Sequence, residues 1–177
     1  MPVLPDVLHP GLAVVFIGTA AGRRAAEVGA PYAGPGNRFW DILHEAGFTP
    51  RRLDPQEFRT LPQYGIGLTG MAPERVGNDD ILGPGDFDPD GVRAKIERYA
   101  PRVVAFVGKR AAQEFFGRAV LAYGLQDERV GDTVVFVLPS TSGAARRYWD
   151  PSYWHALRAY VDQMEPGGPA WYNNART

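Results

Sequence analysis

The sequence predicts a three-layer α/β/α sandwich with a central, mainly parallel sheet of about four strands. The first observation behind this fold class is that short apolar segments rich in valine and phenylalanine recur along the chain, as in strands covered on both faces. The second is that segments with apolar residues at helical spacing lie between them. Strands that alternate with helices in this way form parallel sheets through right-handed crossovers.

The three clearest predicted strands each end at a glycine or a proline. They are LAVVFI before Gly18, VVAFV before Gly108 and TVVFVL before Pro139. Residues 66–69 form a fourth candidate strand. Ligands of parallel sheets bind at the carboxyl ends of the strands, so we expect the functional site at these junctions.

Four helices are predicted, and each begins at a helix-capping residue or directly after a strand. They start at Asn37, Asp88, Lys109 and Asp150. Asn and Asp side chains cap helices, and the prolines that follow the two aspartates are accepted in a first helical turn. We expect residues 1–164 to form one domain and residues 165–177 to be a flexible C-terminal tail.

The composition is that of an ordinary globular protein and excludes several classes of site. The 177 residues are 45% hydrophobic and 22% charged, and they include no cysteine, which excludes disulfides and thiolate metal sites. The three histidines show no metal-ligand spacing. A net charge of -1 argues against non-specific binding to nucleic acid over the whole surface. The arginines that occur in pairs are still compatible with a local basic surface. With no membrane-length apolar segment and no signal-like N-terminus, we expect a cytoplasmic protein.

Two strand ends carry unusual loops. The first is followed by GTAAG, residues 18–22, a glycine-rich turn that lets backbone N–H groups approach a ligand closely. Its spacing differs from G-x-G-x-x-G, which disfavours a dinucleotide site. The last is followed by LPSTSGAARRY, residues 138–148, whose hydroxyl groups and arginines suit a sugar-phosphate backbone. Taken alone, each segment is also compatible with an ordinary surface loop.

Together with GPGNRFWDIL, residues 34–43, these segments resemble the mismatch-specific uracil-DNA glycosylase and thymine-DNA glycosylase branch of the uracil-DNA glycosylase superfamily. The resemblance runs from about Val14 to about Val161. It rests on GTAAG, YAGPGNRFWDILHEAGFTP, YGIGLT, VVAFVGKRAAQEFFG and LPSTSGAAR, which occur in the family's order. The N-R-F-W segment is the most specific of these.

The resemblance implies a monofunctional DNA glycosylase of base excision repair that needs no cofactor. Such an enzyme flips the target nucleotide out of the stack, binds its base in a pocket and hydrolyses the N-glycosidic bond. The implied partner is DNA that contains uracil or another damaged base. We expect a monomer with no membrane association and no obligatory protein partner.

The resemblance also implies roles for individual residues. Tyr32 matches the aromatic residue that stacks on the flipped base, and Asn37 matches a residue that helps to read the base edge, with helix capping as its alternative role. The implied base-binding set is Gly18, Thr19, Ala20, Tyr32 and Asn37. The implied DNA-binding set is Lys109, Ser140, Ser142, Gly143, Ala144 and Arg146. For Phe39 and Trp40, core packing is the simpler interpretation.

The chain departs from the family pattern at the residue expected to position the attacking water. Ala20 stands where the family has an Asn, and a methyl group cannot orient water. Asp79 or Asp80, in the segment PERVGNDDILG, could hold the water or offset the cationic sugar, and we favour Asp79. Capping of a turn is the alternative role for this pair. Lesser candidates for the missing polar group are Asn78, Ser140 and Thr141.

A second departure is Ala144, which replaces the leucine that wedges into the vacated base stack. A smaller side chain offsets less of the unstacking cost. This predicts that the enzyme relies less on reading the opposite strand and has a broader substrate range, which includes single strands. Two further functions stay open. One is a glycosylase of the same fold for hypoxanthine or xanthine, and the other is a catalytically inactive DNA-binding homologue.

Overall fold

The computed structural model describes residues 1–120 and 122–164, and it has a five-stranded central sheet between two layers of helices. The strands are β1 (Val14–Gly18), β2 (Ile66–Gly70), β3 (Val103–Val107), β4 (Gly124–Val130) and β5 (Thr133–Leu138). Their order across the sheet is β2-β1-β3-β5-β4, and every neighbouring pair is parallel except β4 and β5. The predicted fold class is confirmed. The predicted tail, residues 165–177, lies outside the described residues.

The sheet has one strand more than the sequence led us to expect. β4 has the sequence GLQDERV and only Val130 of it is buried, so it has no apolar segment to mark it. It is an antiparallel edge strand joined to β5 by a tight turn in which Gly131 has φ +58°. An edge strand of this kind buries few side chains and therefore gives little signal in the sequence.

All four predicted helices are present, and a fifth, which was not predicted, follows the GTAAG turn. The helices are α1 (Arg23–Val28), α2 (Phe39–Glu45), α3 (Pro89–Tyr99), α4 (Lys109–Phe116) and α5 (Ser152–Met164). α1 has only six residues, too few to show a helical period, and it ends at Gly29 with φ +71°. None of the described helices is long and apolar enough to cross a membrane.

Alternate residues of β1 enter two separate cores on the two faces of the sheet. Phe16 is fully buried on one face, where its ring stacks on Trp154 of α5 and meets Phe39 of α2 edge to face, both at 5.5 Å. Val15 and Ile17 belong to the core on the other face, which also contains the buried side chains of α3 and α4. This double burial explains the continuous apolar strands. It also brings the carboxyl ends of β1, β2, β3 and β5 to one edge.

Candidate functional site

A cleft of about 890 Å³ opens at the carboxyl edge of the sheet. Most of the residues expected to form the site line it. They are Gly18, Thr19, Ala20, Tyr32, Asn37, Asp79, Asp80, Ser140, Ser142, Gly143 and Ala144. The other two expected residues, Lys109 and Arg146, lie outside the lining. The cleft therefore joins three loops that are far apart in the chain.

Backbone hydrogen bonds tie the GTAAG turn to the segment that follows β2. Beyond the strand ends, the N–H of Ala72 donates to Thr19 at 3.0 Å and the N–H of Gly77 donates to Ala21 at 2.9 Å. Ala21 and Val76 also form a parallel bridge. These contacts continue the pairing of β1 and β2 past the sheet, and they bring the Asp pair that follows Gly77 back to the glycine-rich turn.

At this point the Thr19 hydroxyl donates a hydrogen bond of 2.6 Å to Oδ1 of Asp79. Asp79 is half-buried and faces the same cleft as Ala20, whose methyl group occupies the expected place of a polar residue. The bond engages one carboxylate oxygen and leaves the second for another partner. Asp80 also lines the cleft but is exposed. The geometry thus distinguishes the two neighbouring carboxylates, of which Asp79 was the favoured candidate.

The loop that carries Asp79 is held from behind by Arg110, a residue that the sequence did not single out. The Arg110 guanidinium donates to the backbone carbonyls of Asp79 and Leu82, each at 3.2 Å, and to the Glu114 carboxylate at 2.9 Å. It also lies over the ring of Phe87, 4.9 Å from the centroid. Two backbone acceptors and one carboxylate engage all three guanidinium nitrogens, so α4 fixes the backbone at Asp79.

Tyr32 forms another part of the lining, in a strained backbone conformation. Its φ is +56°, which is uncommon for a residue other than glycine, and its ring stacks on Phe39 with centroids 3.9 Å apart and planes at 17°. The indole N–H of Trp40 donates to the carbonyl of Pro31 at 3.0 Å, which anchors the preceding residue. Burial raises the pKa of Tyr32 above its ordinary value, which already lies above neutral pH.

The Tyr32 hydroxyl reaches the end of β1 because residue 18 has no side chain. A Cβ built on Gly18 would lie 2.8 Å from Oη of Tyr32 and 3.7 Å from its Cζ. The first distance is a clash and the second an ordinary contact. The GTAAG turn therefore needs its first glycine so that the phenol can approach.

Asn37 binds the first residue of α2 from the position before the N-cap, Arg38, whose own side chain makes no capping hydrogen bond. Its Oδ1 accepts a hydrogen bond of 3.0 Å from the N–H of Phe39 at the start of α2, and its side chain lines the cleft. This hydrogen bond uses the side-chain oxygen of Asn37 and does not involve its amide NH₂ group. Phe39 and Trp40 are buried, which confirms core packing as their role. A role for Asn37 in reading a base stays a prediction.

The loop before α2 and the loop after β5 pack backbone against backbone and close one side of the cleft. The N–H of Arg38 donates to the carbonyl of Thr141 at 2.9 Å. Gly36, with φ +75°, faces Gly143, where an added Cβ would lie 3.4 Å from the carbonyl oxygen of Pro35. The positive φ explains the glycine at position 36, whereas a Cβ at position 143 would make an ordinary contact.

The loop after β5 is ordered by its own hydroxyl groups. Ser140 Oγ accepts from the N–H of Ser142, and Ser142 Oγ accepts from the N–H of Ala144, both at 3.2 Å. The Thr141 side chain is buried at the cleft, and its hydroxyl has no hydrogen-bond partner within residues 1–120 and 122–164. An unsatisfied buried hydroxyl costs about 1–3 kcal/mol, which a bound ligand or water would recover.

The N-terminal segment contributes a wall of the cleft that the sequence did not predict. Val7 forms an antiparallel bridge to Leu68 of β2, and the preceding residues Leu4, Pro5 and Asp6 line the cleft. Asp6 accepts from the Thr69 hydroxyl at 2.8 Å and pairs with Lys95 at 2.6 Å. Proline and leucine in an N-terminal segment give no sequence signal for such a contact.

In the part of the chain that the structure describes, no cluster of three or more His, Asp or Glu could hold a metal ion.

Comparison with known proteins is consistent with this architecture. Residues 5–162 match the uracil DNA glycosylase superfamily. A solution NMR structure of a candidate uracil DNA glycosylase from Methanosarcina acetivorans is similar to the chain, with a TM-score of 0.60 and 22% sequence identity over 90% of this chain and 96% of the other. At that identity the structural likeness shows a shared fold alone, whereas the sequence match spans most of the chain. The chain therefore belongs to the uracil DNA glycosylase superfamily.

Proposed function

We propose that this DNA glycosylase family member belongs to the mismatch-specific uracil/thymine branch and removes uracil, or a related deaminated base, from DNA. The observation that carries the proposal is the Asp79 carboxylate, which lines the same cleft as Ala20 and accepts a hydrogen bond from Thr19. It supplies a polar group where the sequence lacks the family's Asn. Membership of the family makes DNA the expected partner.

In the proposed reaction, a nucleotide flipped out of the stack places its base against Tyr32 and its sugar near Asp79. The bond between C1′ and the base nitrogen breaks, and its electron pair leaves with the base. Positive charge then develops on the sugar, and the carboxylate of Asp79 offsets it. As the oxygen of water bonds to C1′, Asp79 accepts a proton from that water and later releases it to solvent. The departing base takes up a proton from solvent.

The site also supports the base-binding half of this proposal. The Tyr32 ring is held rigidly by its stack on Phe39, and a rigid aromatic surface suits a planar base. Burial raises the pKa of Tyr32 further above neutral pH, so the stacking surface is an uncharged phenol. Uracil, hypoxanthine and xanthine are all planar, which leaves the choice among them to experiment.

The test is single-turnover base excision from oligonucleotides with uracil opposite G, opposite A or unpaired, and with hypoxanthine or xanthine. The wild type would be compared with Asp79→Asn, Asp80→Asn and Ala20→Asn. We expect Asp79→Asn to lose about a hundredfold or more in rate, as for removal of a positioned acid–base group. Asp80→Asn is the matched control and should stay close to the wild-type rate, because that carboxylate is exposed. Ala20→Asn should be tolerated or faster.

Each alternative has its own outcome in this assay. Excision of hypoxanthine or xanthine without excision of uracil would reassign the substrate and keep the mechanism. A wild type that cuts none of these oligonucleotides and yet retains them in a binding assay would be an inactive DNA-binding homologue. Full activity in Asp79→Asn would refute the role of the carboxylate.

A further inference from the structure

Three tyrosines form a cluster outside the cleft, on the side of β4 and α5. The rings of Tyr123 and Tyr153 have centroids 5.3 Å apart with planes at 49°. Burial, and then the neighbouring phenols of Tyr148 and Tyr153, raise the pKa of Tyr123. Tyr123 and Tyr153 are half-buried, whereas Tyr148 is 60% exposed, so its ring is open to solvent.

Two cations lie against the rings of this cluster. The ammonium of Lys109 is 4.5 Å from the centroid of Tyr123, and the guanidinium of Arg147 is 5.4 Å from the centroid of Tyr148. Arg146 is exposed next to them in the chain. Exposed aromatic rings interleaved with basic groups are the features that bind single-stranded nucleic acid, because bases stack on the rings and phosphates pair with the cations.

The cluster adjoins the cleft along two separate stretches of chain. The 3₁₀ helix that ends at Tyr148 begins at Gly143, which lines the cleft. Gly108, directly before Lys109, lies against Ser140 of the lining, since an added Cβ would be 3.4 Å from that of the serine. A strand whose nucleotide enters the cleft would therefore pass over the cluster.

We propose that Tyr148, with Tyr123, Tyr153, Lys109 and Arg147, forms a platform that stacks unpaired nucleotides of single-stranded DNA next to the flipped base. We call this surface the tyrosine platform. The proposal rests on the proposed function in taking DNA as the partner. It also gives a role to the small residue at 144: Ala144 cannot fill the vacated stack, and the platform holds the strand by stacking outside the duplex instead.

The test is equilibrium binding of a short single-stranded DNA oligonucleotide without any damaged base, beside the matching duplex. The variants are Tyr148→Ala, Tyr148→Phe and the control Tyr99→Ala. Tyr99 is a matched control because Arg98 lies over its ring at 5.2 Å, as Arg147 does over Tyr148, while it ends α3 at the opposite edge of the sheet from the cleft. A Tyr148→Phe variant keeps the stacking surface.

We expect Tyr148→Ala to raise the Kd for the single strand about fivefold to a hundredfold, the effect of losing one stacked base. Tyr148→Phe and Tyr99→Ala should stay within about twofold of the wild type, since a stacking surface needs only the ring. The duplex should lose less affinity than the single strand. A 2-aminopurine placed beside the target position should be quenched on binding by the wild type and by Tyr148→Phe, and less so by Tyr148→Ala.

Unchanged single-strand affinity in Tyr148→Ala would overturn the platform, and so would an equal loss for duplex and single strand. A preference for single-stranded RNA over DNA of the same sequence would overturn its assignment to DNA. Because the oligonucleotide contains no damaged base, the result is independent of catalysis. A protein that excises nothing but binds single strands through Tyr148 would support the platform and refute the proposed function. A protein that excises uracil but binds single strands equally well without Tyr148 would support the proposed function and refute the platform.

Discussion

The Thr19 hydroxyl donates to the Asp79 carboxylate at 2.6 Å across 60 positions of the chain. This side-chain bond adds to the backbone hydrogen bonds that join the glycine-rich turn after β1 to the loop after β2, the two segments that the proposed chemistry requires. It also helps to orient the carboxylate, because one of its oxygens is committed to the threonine. The relationship has a direct consequence for activity.

Replacing Thr19 with Val removes the hydroxyl and keeps the shape of the side chain. A hydrogen bond to a charged group contributes about 1.5–3 kcal/mol, so we expect the single-turnover excision rate to fall about tenfold or more. Thr19→Ser keeps the donor and should retain most of the rate. Rates measured at saturating enzyme, with thermal unfolding as a control for stability, would check this. A wild-type rate in Thr19→Val would show that the hydrogen bond is not used.

Arg110 is expected to act as a positioning residue for Asp79. Lys has no planar fork and cannot serve both backbone carbonyls, so Arg110→Lys should lower the excision rate about tenfold. Affinity for DNA should change little, because Arg110 contacts the loop and not the cleft. The informative measurement is the pair of rate and Kd for a non-cleavable oligonucleotide. If the rate falls and the Kd rises together, the arginine supports the whole fold and does not position Asp79 specifically.

Gly18→Ala should displace Tyr32, since the new methyl group would lie 2.8 Å from the phenol oxygen. We expect Gly18→Ala to weaken binding of DNA that contains the target base and to slow excision. The double variant with Tyr32→Phe removes that oxygen and leaves a contact of 3.7 Å, so it should recover part of the loss. A double-mutant cycle on the excision rate measures this coupling. Additive losses would mean that the two residues do not share the same space.

Ala144→Leu restores a wedge at an exposed position of the loop after β5. Inserting a larger apolar side chain offsets part of an unstacking cost of a few kcal/mol, so excision from duplex should rise several-fold. Excision from single strands should change little, because no stack has to be filled there. The ratio of the two rates is the quantity to measure. A larger effect on single strands would show that residue 144 acts on the pocket and not on the duplex.

Much of the architecture was predictable because burial on both faces of a parallel sheet imposes apolar strands. β1, β3 and β5 are marked in this way, and Asp88 and Pro89 mark the start of α3 by capping, where the Asp88 carboxylate accepts from the N–H of Gly91 at 3.0 Å. β4 could not be predicted from the same signal, since an edge strand buries too little. α1 is too short to have a period.

The candidate site was predictable to the level of segments. The sequence by itself placed the site at the strand ends, because parallel topology brings the carboxyl ends to one edge, and it marked Asp79 and Asp80 as a pair that could replace the polar group missing at Ala20. The preference for Asp79 gained a physical reason only from the tertiary structure, in which Asp79 accepts the hydroxyl of Thr19 and Asp80 is exposed. It also supplied Arg110, whose role depends on contacts across about 30 residues. Local patterns determine strands, caps and turns, whereas the partner of a side chain depends on how distant segments pack.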